Sequence, residues 1–347
     1  MKSYENPYTL TFGIKPDQYI SRVQQTEEII GTLQSENPSV RVYLISGVRG
    51  SGKTVLMTNV SDELKKKKEW IVIHLNPTRD LLHSAVEKLN AQKSIAPFKL
   101  KASVDFSLIG IGVSVEGAEK ISDEELALEK LLEYAKKINK RVLFTIDEVT
   151  NTTYVKQFTS SFQTLMRENY PVFLLMTGLY ENIKKIQDED ELTFLYRAPR
   201  IELTPLNIGG MTESYKNTLG ISEREARELA KETNGYSYAF QVLGYLSWQK
   251  KEGYDIDVKA QYRQYLEEYS YEKIWQELSA IEKDILIAMT QIKSKKVKDI
   301  REVLNSKSND FSVYRTRLIR KGVVYSPSYG ELDFTLPLFD KFVLDQA

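Results

Sequence analysis

The chain has 347 residues, with 48 Lys+Arg against 48 Asp+Glu, 2 His and no Cys. A chain this long buries enough surface for more than one packed unit without covalent staples. The absence of Cys excludes disulfide frameworks, thiolate metal sites, iron-sulfur clusters and cysteine nucleophiles, and a reducing, cytoplasmic setting is expected.

The opening Met1-Lys2-Ser3-Tyr4-Glu5-Asn6-Pro7 has no apolar signal core, and no apolar run approaches the roughly 18 residues that a membrane span needs, so no membrane partner is expected. Short apolar runs follow at Val42 to Ser46, Trp70 to Leu75, Val142 to Ile146, Val172 to Met176 and Ile201 to Leu203, separated by helical patterns. Strands alternating with helices predict a parallel sheet covered on both faces, an α/β fold over residues 1–207. Between the second and third runs, Phe98, Leu100, Ala102, Val104, Phe106 and Leu108 alternate with mostly polar neighbours before Ile109-Gly110-Ile111-Gly112. That alternation predicts an antiparallel hairpin inserted near 98–117.

After Thr204-Pro205-Leu206 the strand pattern stops. Ser222 with Glu225 three residues on is a capping box, and Tyr238, Phe240, Val242, Leu243 and Leu246 lie on a helical face that ends at Gly253. A small all-helical unit over 208–270 is expected. From 271 to 347 the pattern predicts helices around Ile281 to Met289, Val297 to Leu304 and Asn309 to Lys321, then two short strands around a Ser-Pro-Ser-Tyr-Gly turn. Three helices and a ribbon predict a winged helix, with Phe311, Leu318 and Ile319, and part of Val313, packed inward.

The chemistry is concentrated in Gly47-Val48-Arg49-Gly50-Ser51-Gly52-Lys53-Thr54, continued by Val55, which fits G-x-x-x-x-G-K-[ST] between a predicted strand and a predicted helix. Backbone N–H groups of such a loop and the helix N-terminus cradle phosphate oxygens, the lysine reaches the β and γ phosphates, and the Thr54 hydroxyl ligates Mg²⁺. The run Val142 to Ile146 ends in Asp147-Glu148. Asp147 is the expected second metal partner, and Glu148 the expected general base for the attacking water. Thr177, at the end of the next run, is placed to sense water or the γ phosphate. The only Asn-Lys pair, Asn139-Lys140, lacks the Asp of a guanine reader, so ATP or ADP is the expected nucleotide.

These motifs resemble the AAA+ and STAND branches of the P-loop ATPases, and in particular prokaryotic ATPases similar to archaeal origin initiators with a C-terminal winged helix. The resemblance extends over most of the chain. Asn6-Pro7-Tyr8 and Tyr19-Ile20-Ser21-Arg22 are similar to the segment leading to the adenine pocket, with Ser21 where the family has Gly, which implies a nucleotide contact from Arg22. Tyr196-Arg197-Ala198-Pro199-Arg200 resembles the segment carrying the intersubunit arginine, implying that role for Arg197 or Arg200, with Arg167 on the preceding helix as another candidate, and a homo-oligomer. Asn234 to Gln241 is similar to the lid helix, yet from Gly235 to Gln241 it lacks the arginine that initiator ATPases place there. Slow hydrolysis is therefore expected, in a nucleotide-driven switch. The alternative is a non-hydrolysing, nucleotide-gated scaffold whose winged helix binds protein.

Residues 291–322 carry ten basic and three acidic side chains, a net of +7 inside a chain whose total is zero. On a winged helix, this charge makes double-stranded DNA the expected partner, through Tyr314, Arg315, Arg317 and Lys321, with Ser312 and Tyr329 beside them. An unknown protein partner is the other expectation.

Overall fold

The computed structural model describes residues 5–11, 13, 15–99 and 124–347, and the predicted hairpin lies outside them except at its start, where Ala96–Lys99 form a helical turn and not a strand. The chain divides into two compact units that do not follow chain order. One comprises Val23–Ser46 and Leu56–Ile201; the other comprises Met1–Arg22, Gly47–Val55 and Glu202–Ala347.

The first unit holds the sheet. In chain order its elements are α1 (Val23–Gln34), β1 (Val42–Ser46), α2 (Lys53–Lys65, which begins in the other unit), β2 (Trp70–Leu75), α3 (Leu81–Asn90), α4 (Ala96–Lys99), α5 (Glu124–Lys137) and β3 (Arg141–Ile146). There follow α6 (Thr153–Arg167), β4 (Val172–Gly178), α7 (Tyr180–Gln187), α8 (Thr193–Tyr196) and β5 (Arg200–Glu202). The strand order is β2-β3-β4-β1-β5, with β2, β3, β4 and β1 paired in parallel. Every residue of β1 and β4 is buried, the pattern of strands covered on both faces. Their aliphatic side chains join Leu128, Leu131 and Leu132 of α5 and Phe158 and Phe162 of α6 in one core. Each such fully buried side chain contributes about 1.5–3 kcal/mol of transfer free energy. Because the strands are parallel, the carboxyl ends of β1, β3 and β4 share one edge of the sheet, at Ser46, Ile146 and Gly178.

The second unit is mainly helical: α9 (Ile208–Leu219), α10 (Glu223–Glu232), α11 (Ser237–Lys251), α12 (Val258–Leu266), a π-helical segment Glu267–Tyr271, and α13 (Glu272–Gln276). It continues with α14 (Ala280–Gln291), α15 (Val297–Val303), α16 (Ser308–Arg320), the antiparallel pair β6 (Val324–Tyr325) and β7 (Asp333–Phe334), and α17 (Phe339–Asp345). Ser222 and Glu225 form the predicted capping box, and Ser279 with Glu282 forms another at the start of α14. A boundary at 270/271 falls inside the unbroken helical run α12 to α13, and one buried cluster reaches from Tyr236 and Leu246 through Tyr271 to Phe311 and Phe342. Two expectations on α16 need correction: Phe311 and Leu318 are buried, but Val313 and Ile319 face solvent at 51% and 36% exposure. Positions 311 and 318 lie two turns apart on the packed stripe, and 313 and 319 fall outside it.

Candidate nucleotide site

The loop Gly47 to Gly52 leaves β1 and enters α2, and its turn uses left-handed backbone at Gly50 (φ 74°) and Gly52 (φ 92°), where a side chain would be strained. A Cβ on Gly50 would also lie 2.3 Å from the Tyr236 hydroxyl oxygen. Lys53 is 8% exposed, and its ammonium donates to the Gly47 and Val48 carbonyls, at 3.0 Å each. The other carbonyls of the loop are bonded by the helical region: Arg49 O accepts from the Tyr236 hydroxyl at 2.7 Å, Gly50 O from the Tyr238 N–H at 3.1 Å, and Ser51 O from the Ser237 hydroxyl at 2.9 Å. Each carbonyl from Gly47 to Ser51 thus has a donor, which fixes the backbone orientation of the loop.

Arg22, which the resemblance places at the nucleotide, donates to Ser51 O at 3.2 Å and Thr204 O at 2.8 Å, and burial pulls its pKa down to about 10. It braces the loop from behind. Beside it, Tyr19, Ile20 and Ser21 line a cavity of about 840 Å³ together with Gly210, Ser214 and Trp248. The Arg49 guanidinium pairs with Glu277 at 2.9 Å, and Gly322 backs onto Val48, whose Cβ would lie 3.4 Å from a Cβ at 322.

In the sheet unit, Asp147 and Glu148 follow β3 and Thr177 lies in β4. Thr177 is fully buried and its hydroxyl donates to the Asp147 carboxylate. The Glu148 N–H donates to the same Asp147 oxygen at 3.1 Å and to the Thr177 hydroxyl at 3.2 Å. Glu148 itself is exposed, in the left-handed region at φ 51°. The Val149 N–H returns to Thr177 O at 2.8 Å, so the turn after β3 is tied to β4. Thr177 therefore holds the carboxylate.

The two arginines of the Tyr196–Arg200 segment differ. Arg200 lies over the Tyr180 ring, 5.0 Å from its centroid, and donates to the Gln187 side chain, whereas Arg197, at the end of α8, is exposed. On α16, Arg317 is exposed beside Tyr314, and Arg315 donates to the Ser326 hydroxyl at 2.9 Å. Lys321, expected to touch DNA, pairs instead with buried Glu282 at 2.8 Å. Sequence reasoning missed the part played by Tyr236, Ser237, Tyr238 and Glu277 at the loop. The cluster of hydroxyl groups opening α11 is its only trace in the sequence.

Residues 19–178 match the model of a family described as an ATPase domain predominantly from Archaea. That part of the chain is similar to this ATPase family. Residues 268–343, beyond that domain, match DUF8462, a domain of unknown function. No curated protein matches the chain. Solved structures share the fold. The Walker-type ATPase PABY2304 of Pyrococcus abyssi is 16% identical, with 94% of this chain and 96% of that one covered at a TM-score of 0.60. The ORC2 protein of Aeropyrum pernix, in ADPNP–ADP complexes, is 15% identical, with 100% and 97% covered at 0.55. At these identities the likeness is one of fold, that of the P-loop AAA+ ATPases. No helix among the described residues is long and apolar enough to cross a membrane.

Proposed function

We propose that this protein binds ATP and ADP with Mg²⁺, hydrolyses ATP slowly, and acts as a nucleotide-driven switch coupled to DNA or partner binding through a C-terminal winged helix. The carrying observation is a braced phosphate-binding loop after β1, together with an Asp147 carboxylate held by Thr177 after parallel β3. Lys53, turned onto loop carbonyls, has phosphate oxygens as its stronger partner when nucleotide enters. The Thr54 hydroxyl and the Asp147 carboxylate suit a hard cation that keeps several waters and otherwise binds phosphates. When bound, Mg²⁺ neutralises charge developing on the β and γ phosphate oxygens. Exposed Glu148 is the base that orients and deprotonates the attacking water, and the cavity beside Tyr19 and Ile20 is offered to the base and sugar.

Phosphate release by the wild type and by Glu148→Gln, with and without duplex DNA, tests this reading. Turnover lost in the variant while ATP binding is kept is the expected result; no turnover in either removes the enzyme. The second reading, a non-hydrolysing nucleotide-gated scaffold, is favoured by the missing lid arginine between Gly235 and Gln241, and equal inertness would establish it. Exposed Arg197 is the better candidate for an intersubunit arginine, since Arg200 is engaged by Tyr180 and Gln187. Exposed Arg317 and Arg320 on α16, and fully exposed Tyr329 in the turn between β6 and β7, support duplex DNA as the partner.

A further inference from the structure

Arg49, in the middle of the phosphate loop, is held at both ends by residues far along the chain. Its carbonyl accepts from the Tyr236 hydroxyl at 2.7 Å, and its guanidinium pairs with Glu277 at 2.9 Å. The Tyr236 oxygen also lies 2.7 Å from the Ser270 hydroxyl. A phenol has one proton, already committed to Arg49 O, so Ser270 is the donor to Tyr236. Tyr236 and Ser270 are 5% and 0% exposed, so breaking either bond would leave a buried hydroxyl unsatisfied.

Ser270 lies within the π-helical segment Glu267–Tyr271, where the Glu272 N–H bonds Glu267 O. A π turn inserts one residue into a helix; such turns are rare and are frequently found at functional sites. Here it falls at the serine whose hydroxyl bonds Tyr236, the residue that reaches the loop. The fit leaves little slack, because a methyl group on Gly50 would collide with the same Tyr236 hydroxyl.

We propose that Tyr236, Ser270 and Glu277 are positioning residues of the phosphate loop, so that the segment 268–277 belongs to the nucleotide site although no residue of it need touch nucleotide. The loop N–H groups can converge on phosphate only while the carbonyls point away, and the Tyr236–Ser270 relay and the Arg49–Glu277 pair hold the middle of the loop in that orientation. By linkage, phosphate binding stabilises the 268–277 segment to the same extent. The inference rests on reading Gly47 to Thr54 as a phosphate site and adds that the C-terminal region sets its affinity.

Displacement of a fluorescent ADP analogue by ADP, pyrophosphate and adenosine tests the proposal on the full chain. Glu277→Gln removes a half-exposed ion pair, and Tyr236→Phe or Ser270→Ala removes a hydroxyl. Each should weaken ADP and pyrophosphate about two- to five-fold while leaving adenosine unchanged, because the loop acts on phosphate alone. Glu277→Gln should also unfold at the wild-type temperature without nucleotide, and it carries the test with Ser270→Ala if Tyr236→Phe fails to fold. Equal losses for adenosine, or wild-type pyrophosphate affinity in Glu277→Gln, overturn the proposal. Lys53→Ala separates the two readings. If the wild type binds ADP, Lys53→Ala does not, and Glu277→Gln matches the wild type, the positioning role alone is lost. A wild type that binds no ADP removes the phosphate site and the positioning role together.

Discussion

The Thr177 hydroxyl donates to the Asp147 carboxylate from the neighbouring strand, and the Glu148 N–H donates to both side chains, at 3.1 Å to Asp147 and 3.2 Å to Thr177. Carboxylate, hydroxyl and the backbone of the next acid form one closed group. The register Ile146 with Met176 brings the following positions of the two strands side by side.

Thr177→Val keeps the shape of this buried side chain and removes the donor. The Asp147 carboxylate loses a charge-assisted bond, which is a loss of about 1.5–3 kcal/mol wherever the carboxylate must hold its orientation. Mg²⁺-dependent phosphate release should fall at least ten-fold, while nucleotide binding without Mg²⁺ stays as in the wild type. A Mg²⁺ titration of turnover checks it, and unchanged turnover would show that Thr177 does not position the metal ligand.

Glu148 has φ 51°, a conformation that costs an ordinary residue about 1–2 kcal/mol and glycine almost nothing. The added freedom of glycine in the unfolded chain offsets part of that gain. Glu148→Gly should therefore leave stability unchanged or raise it by up to about 1 kcal/mol while abolishing hydrolysis. Denaturant unfolding measures the first effect and phosphate release the second. A protein of unchanged activity would remove Glu148 as the base.

The strands and the phosphate loop were legible in the sequence because each is local: an unbroken apolar run such as Val42 to Ser46, then glycines at fixed spacing. The capping box at Ser222 was legible for the same reason. The strand order was not, since the pairing of one apolar run with another is not written in either run; nor were the brace formed by Tyr236 and the pairing of Arg49 with Glu277, whose partners are separated by more than a hundred residues and carry no periodicity of their own. Lys321 shows the limit most clearly. In a basic run it reads as one more cation, and only the burial of Glu282 distinguishes it.

Gly50→Ala combines two faults, a left-handed φ of 74° and a Cβ placed 2.3 Å from the Tyr236 hydroxyl. The loop or Tyr236 must move, and the bond to Arg49 O is lost either way. A destabilisation of about 2 kcal/mol is expected, with a large loss of ADP affinity. In the Tyr236→Phe background the clash is smaller, so the same substitution should cost less there. A double-mutant cycle on thermal unfolding measures that coupling, and strict additivity would contradict the contact.

Lys321 and Arg317 make opposite predictions from similar positions in the basic segment. Lys321 is the cation for Glu282, which is 1% exposed and also accepts from the Ser279 N–H at 2.8 Å. Lys321→Ala strands a buried carboxylate and should cost about 3 kcal/mol of stability. Arg317 is exposed and stacks only on Tyr314, 5.5 Å from the ring centroid, so Arg317→Glu should change stability by no more than about 0.5 kcal/mol. If α16 faces duplex DNA, Arg317→Glu weakens binding across sequences and lowers the salt slope by about one phosphate contact. Glu282→Gln should recover most of the stability lost in Lys321→Ala, because it removes the stranded charge. Thermal unfolding and a salt titration of DNA binding separate the two residues, and a stability loss in Arg317→Glu as large as in Lys321→Ala would overturn the assignment.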